Sequence, residues 1–187
     1  MVNQSIQIGI DLGTTNSEIA INNNGKIEIV KNVFGDEYTP SVFGVDKSKN
    51  KVVGKRAYER LYKDASEVEF KNNKAEVKRL MGTSETVFFE RTDIKMNAEE
   101  ISAEILKSLK EDVLRKYPDF NTIGAVITVP AYFSSYKQKL LKEPVILLAS
   151  TTSFYCKSQL PPPYPTASGM LKMKIGLFMI SEAGLLM

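Results

Sequence analysis

Asp11, Leu12, Gly13, Thr14 and Thr15 follow an alternating apolar run, Ile6 to Ile10, and are the densest group of chemically capable residues in the chain. A glycine there lets backbone N–H groups approach an anion, two hydroxyls can donate to phosphate oxygens, and an aspartate at a strand end can hold a hydrated Mg²⁺. An ordinary Asx/Thr hairpin turn accounts for the same five residues equally well. The GxxxxGK[ST] signature of P-loop NTPases does not occur. Lys78, followed by Arg79, is a second candidate, as a lysine reaching a transferred phosphate. Taken alone, the pair reads better as two solvated cations. Cys156 sits among Pro- and Ser-rich neighbours with no base to activate it, and is assigned no chemistry. The chain contains no His, which excludes Ser-His-Asp triads, Cys-His dyads and His-ligated zinc.

The candidates need elements to hold them. Ile6 to Asp11 predicts a strand entering a turn, Ser17 to Ile21 a second strand and Lys26 to Val30 a third. Asn24-Gly25 between the last two is a hairpin signal, because both residues tolerate positive φ. Together these predict an antiparallel meander with the polar cluster in its first turn. Tyr38 to Ser41 reads as a turn or edge segment and Val42 to Val45 as a short strand. Lys55 to Lys63 has helical composition, with Ala57, Leu61 and Tyr62 on one side, while Lys71 to Lys78 reads as charged and exposed. The clearest helix opens at Asn97. Glu100 stands three residues on as a capping-box partner, Ile101, Ile105, Leu106, Leu109 and Val113 form one stripe, and Pro118 ends it. Ala125 to Val129 then predicts a buried strand closed by Pro130. This order predicts an α/β layout, a mixed sheet with a helix on its face.

At 187 residues, 43% hydrophobic and 25% charged, the chain can bury a core and corresponds to one domain or two small subdomains. Before Lys139 there are 20 basic and 20 acidic residues, which argues against a nucleic-acid surface there. From Lys139 onward there are five Lys and two Glu, five of the eight Pro, four of the seven Met and no Asp. Composition changes abruptly at that point. With no secretory start and no apolar run of about 18 residues, the expectation is a soluble, cytoplasmic protein without membrane contact.

Taken together, these segments resemble the nucleotide-binding domain of the DnaK-type 70-kilodalton heat-shock chaperones. The matching stretches are Ile8-Gly-Ile-Asp-Leu-Gly-Thr-Thr-Asn-Ser17, Thr39-Pro-Ser-Val42, Val77-Lys-Arg-Leu-Met-Gly82, Glu99-Glu-Ile-Ser102 and Ala125-Val-Ile-Thr-Val-Pro-Ala-Tyr-Phe133. The first alone would suit actin-like proteins or sugar kinases, which share the fold; the third and last point to the chaperone branch. The resemblance implies an actin-like ATPase (ribonuclease H-like) fold, of which this chain covers the first lobe. Residues 1–39 and 98–138 would form its lower subdomain and 40–97 an inserted upper one.

The resemblance also implies ATP and Mg²⁺ as cofactors. Asp11 would sit near the Mg²⁺ through water, Gly13, Thr14, Thr15 and Asn16 would face phosphates, and Lys78 would be the catalytic lysine. Pro130 resembles the family's switch proline, coupling nucleotide state to peptide binding, but the family's nearby Arg is Gln138 here. In the full-length family the partners are ATP or ADP, unfolded polypeptides, a J-domain co-chaperone and a nucleotide exchange factor.

After Gln138 the family pattern stops, and reading one base over restores it. Lys139 to Val145 permits Ala-Thr-Lys-Arg-Ala-Gly, Lys157 to Thr166 permits Glu-Pro-Ile-Ala-Ala-Ala-Ile-Ser-Tyr, and Phe178 to Met187 permits Tyr-Asp-Leu-Gly-Gly-Gly-Thr-Phe-Asp. Residues 139–187 are therefore expected to be an out-of-frame tail. The family's water-positioning glutamate and second Mg²⁺-side aspartate would lie in the lost frame, which leaves an ATP-binding fragment without a complete active site. The alternatives are a stable non-enzymatic lobe that binds a co-chaperone or exchange factor through residues 40–97, and a sugar-kinase or actin-like relative.

Overall fold

The computed structural model describes residues 5–23, 26–118, 121–129, 136 and 151–156. Ser5–Asp11 (β1), Asn16–Asn23 (β2) and Lys26–Ile29 (β3) form the expected meander, with Ile8 opposite Ile21 and Ile10 opposite Ile19. The Asn24-Gly25 turn between β2 and β3 lies outside the described residues.

After the meander the chain makes Thr39–Pro40 (β4), Val42–Val45 (β5), Lys51–Val53 (β6), the helix Lys55–Glu59 (α1) and a widened π turn at Arg60–Asp64. Glu67–Asn72 (α2), Asn73–Ala75 (β7), a 3₁₀ turn at Val77–Leu80, and the hairpin Thr86–Phe89 (β8) and Ile94–Asn97 (β9) follow. The last elements are the helix Ala98–Lys116 (α3), Asn121–Val129 (β10) and Thr151–Cys156 (β11).

The main sheet has the order β11-β10-β1-β2-β3, with β4 attached to β2. β10 runs parallel to β1 and β11 parallel to β10, so an antiparallel meander is extended by two parallel strands. The expected mixed sheet with a flanking helix is present, and it is compatible with an actin-like ATPase fold. β10 begins four residues before the expected Ala125. β11 falls inside the stretch read as an out-of-frame tail. Six residues rich in Thr and aromatics have the β propensity to pair even without a longer pattern.

α3 starts as expected. The Asn97 side chain accepts from the Glu100 N–H, and the Glu100 carboxylate accepts from the Asn97 N–H, both at 2.8 Å. Ile101, Ile105, Leu106, Leu109 and Val113 are all buried. Arg115 and Lys116 lie in the last turn, where they favour the negative end of the helix dipole. The stripe packs into one contiguous core with Ile8, Ile10, Ile19 and Ile21 of the meander and Phe43, Met81 and Phe89 from residues 40–97. Phe43 and Phe89 meet edge to face at 5.1 Å. Packing is thus continuous across the expected boundary near residue 40.

Two local expectations need correction. Tyr62 is 53% exposed. Leu61 stays on the buried face four residues from Ala57, whereas Tyr62 is one step further round and meets the Tyr58 ring, tilted at 43°, at 4.7 Å on the outside. The stretch from Lys71 to Lys78 is not simply exposed, because Asn72, Asn73, Val77 and Lys78 are buried. The Asn73 amide N–H groups donate to the Glu69 backbone carbonyl and carboxylate, both at 2.9 Å, which offsets part of the cost of its burial. Glu69 is itself held by Arg91, which also donates to the Val45 carbonyl at 2.6 Å. This buried pair ties α2 to the turn between β8 and β9.

Candidate functional site

Asp11 is the last residue of β1 and is buried. Because β1 and β10 are parallel, their C-terminal ends lie at one edge of the sheet, with Asp11 in register with Thr128. Such an edge is where α/β sheets bind ligands. The turn from Leu12 to Thr15 leaves this edge. Leu12 is buried, Thr14 half-buried, and Thr15 and Asn16 are exposed. A Cβ built on Gly13 would run into the Asn16 carbonyl, so the turn closes only around a residue without a side chain.

The turn is pinned from outside. The Ser41 N–H donates to the Thr15 carbonyl at 2.7 Å, and the Ser17 and Ser41 hydroxyls share a hydrogen bond at 2.8 Å. β4 pairs Thr39 with Ser17 and Pro40 with Asn16. Sequence reasoning found the Thr39-Pro-Ser stretch only as a turn or edge segment. Its bracing of the phosphate-turn candidate depends on pairing across 24 residues, which no local pattern reveals.

Lys78 provides the second half of the geometry. Its Nζ donates to the backbone carbonyl of Leu12, 66 residues earlier, and its residue exposure is 4%. A buried ammonium is costly unless it is hydrogen-bonded, and here a carbonyl of the turn serves as a partner. Arg79 points the other way, with its side chain 67% exposed and paired to Glu76 at 3.2 Å. The Lys78-Arg79 pair is therefore split, and the solvated reading holds for Arg79 alone. Glu76, immediately before the 3₁₀ turn, has φ 56°, an uncommon conformation for a non-glycine residue. That left-handed step turns the chain just before Lys78 enters the interior.

Beside the turn lies a groove of about 330 Å³ lined by Thr15, Asn16, Tyr38, Lys55, Tyr58 and Lys63 among others. Its two lysines are ion-paired, Lys55 with Asp36 at 3.3 Å and Lys63 with Glu59 at 2.8 Å. Among the described residues no three Asp, Glu, Cys or His side chains gather as a metal cage. Asp11 and Glu18, its neighbour across the β1–β2 ladder, are both buried, and so small a carboxylate set fits a Mg²⁺ that keeps most of its waters and takes its remaining ligands from phosphate, rather than an all-protein site. Asp11, Gly13, Thr14, Thr15, Asn16 and Lys78 thus occupy one neighbourhood. Pro130 and Gln138 lie outside the described residues.

These features define a class: a mixed α/β sheet with a tight Asp-Leu-Gly-Thr-Thr turn at the end of its first strand and a buried lysine brought onto that turn. A family model described as Hsp70 protein matches residues 7–96 and 84–145. The chain belongs to the Hsp70 family. It is 41% identical over 139 residues to the chaperone protein DnaK of Mesomycoplasma hyopneumoniae (strain 232), a match covering 74% of this chain and 22% of that protein. It is 39% identical over 140 residues to DnaK of Metamycoplasma hominis, covering 75% and 22%. To the chloroplastic heat shock 70 kDa protein 7 of Arabidopsis thaliana it is 37% identical over 165 residues, covering 76% and 22%. The chain thus spans about a fifth of the length of the curated relatives it matches.

Proposed function

We propose that residues 1–138 form the phosphate-gripping first lobe of an Hsp70-type nucleotide-binding unit, which in a complete chaperone couples ATP hydrolysis to protein folding. The observation that carries this reading is the hydrogen bond from Lys78 to the Leu12 carbonyl, which joins the two candidate motifs in space. In this reading the turn at Gly13 to Asn16 receives phosphate oxygens, and Asp11 would hold a Mg²⁺ through water, which would supply charge neutralisation. Lys78 exchanges its carbonyl partner for a phosphate oxygen, a role of positioning and electrostatics. The assignment of 1–39 with 98–138 and of 40–97 to lower and upper subdomains belongs to the same proposal, as does the coupling role of Pro130. The cytoplasm is the compartment the reading implies, and unfolded polypeptides, a J-domain co-chaperone and an exchange factor are the partners it implies for a complete chaperone.

Residues 139–187 are read as out of frame, so the 187-residue chain carries half of a clamp. Calorimetry with Mg-ATP is expected to show weak binding, and a phosphate-release assay no turnover above buffer. Robust hydrolysis abolished by Lys78→Ala would overturn the half-clamp reading, and absence of any nucleotide binding would overturn the grip. The nucleotide sequence around codons 136 to 142 tests the frame directly.

A second reading, a lobe that binds a partner protein through residues 40–97, is favoured by one observation. Tyr58, Tyr62, Val68 and Phe70 are all exposed within thirteen residues of chain.

A further inference from the structure

We propose that the groove between the π turn and the 3₁₀ turn at Val77–Leu80 docks an acidic polypeptide segment of a partner protein, anchored by one apolar side chain. This deepens the second reading above and does not depend on the phosphate grip. The groove has a volume of about 340 Å³ and is lined by Leu61, Tyr62, Phe70, Lys74, Glu76 and Arg79 among others. Leu61 is its buried floor, while Tyr62 and Phe70 stand at 53% and 55% exposure. Two half-exposed aromatic rings beside an arginine are the residue types that dominate binding energy at protein interfaces.

Charge selects the occupant. Residues 40–97 hold 13 Lys or Arg against 9 Asp or Glu, whereas residues 1–39 and 98–138 hold 7 against 11. The groove therefore opens on the positive part of a chain whose first 138 residues are neutral as a whole. Lys74 lines the groove and is exposed, and among the described residues it forms no ion pair. An acidic segment is steered to this face, and an apolar side chain fills the space beside Tyr62 and Phe70. A nucleic acid fits less well. The groove is a single pocket rather than a track; Glu76 in its lining is paired to Arg79, which leaves Lys74 as the lining cation open to an acidic segment.

The test uses the whole 187-residue chain and a fluorescein-labelled peptide of about a dozen residues, alternating Asp and Glu around a central Trp, read by anisotropy. Saturable binding is expected, weakened about tenfold by Phe70→Ser and about threefold by Lys74→Glu, and falling with added salt. A control peptide with Ser for Trp is expected to bind about tenfold more weakly than the parent. Phe70 is exposed, so the variant should keep its melting curve, and its Mg-ATP affinity should not move; these readouts separate failure of this proposal from failure of the phosphate grip. Equal binding by wild type and Phe70→Ser overturns the proposal. So does tighter binding of an oligouridine RNA of similar length, or self-association by sedimentation that Phe70→Ser abolishes, which would make a second copy the occupant.

Discussion

Lys78 and Leu12 stand 66 positions apart in sequence, yet the lysine ammonium donates to the leucine backbone carbonyl where both residues are almost fully buried. The contact links the 3₁₀ turn at Val77–Leu80 to the turn that follows β1. It makes one residue serve both the packing between these segments and the proposed recognition of phosphate.

Replacement of Lys78 by Met should therefore affect stability as well as ligand binding. It leaves the buried Leu12 carbonyl without this donor, at a cost of about 1–3 kcal/mol. Urea unfolding followed by circular dichroism would show the loss as a lower midpoint. Mg-ATP calorimetry should show a further loss of affinity that added stabilising salt does not restore. An unchanged midpoint would mean that the contact contributes nothing to the fold.

Gly13→Ala tests the closure of the turn. The new methyl meets the Asn16 carbonyl, and the turn must open to make room. Overpacking of this kind costs about 1–3 kcal/mol. The melting temperature should fall and nucleotide binding should weaken together, whereas Gly35→Ala, at a glycine where an added methyl would meet nothing within 4 Å, should leave nucleotide binding unchanged.

The buried pair Glu69 and Arg91 gives a pH dependence of definite sign. The hydrogen bond from Arg91 holds the Glu69 carboxyl below its ordinary 4.5, against the opposing effect of burial. Its contribution is therefore present above pH 4.5 and is lost as pH falls through the lowered folded value. Glu69→Gln should flatten the acid limb of the stability curve. Arg91→Met, which leaves the buried Glu69 carboxylate with the Asn73 amide but without its cation, should cost about 3 kcal/mol near neutral pH. Asp112 has the opposite sign. Burial raises its pKa from 3.8 despite Arg115 beside it, so its contribution is lost as pH rises through the raised value. Asp112→Asn should be most favourable relative to wild type near neutral pH, and that advantage should shrink on acidification; chemical unfolding at several pH values would read both effects.

The capping box of α3 offers a milder test. Asn97→Ala removes the side-chain acceptor for the Glu100 N–H and should cost about 1 kcal/mol. Asn97→Asp should retain most of the stability. Thermal melts of the two variants distinguish a cap from a merely tolerated residue.

Several elements were legible because their signals are local. The meander follows from alternation in Ile6 to Asp11 and Ser17 to Ile21, and α3 from Asn97, Glu100 and a stripe of five apolar residues. The pieces missed are short or paired at a distance. β6 and β7 have three residues each and exist because β5 lies between them. The charged stretch ending at Lys78 carried no sign that half of it would be buried, since Asn72 and Asn73 are polar by type and the hydrogen bonds that offset their burial come from Val68, Glu69 and Arg91 around them.

What the amino-acid order alone determined was the chemistry of the turn and the family it resembles. Gly13, two threonines and Asp11 are contiguous, and contiguous residues stay neighbours in any fold. It also determined α3, whose cap and stripe lie within one helix. Only the tertiary structure decided which of Lys78 and Arg79 turns inward, that Ser41 braces Thr15, and that Thr151–Cys156 joins the sheet. Each of those outcomes is a contact between segments more than twenty residues apart, and the free energy of such contacts comes from burial and pairing that exist only once the chain has closed on itself.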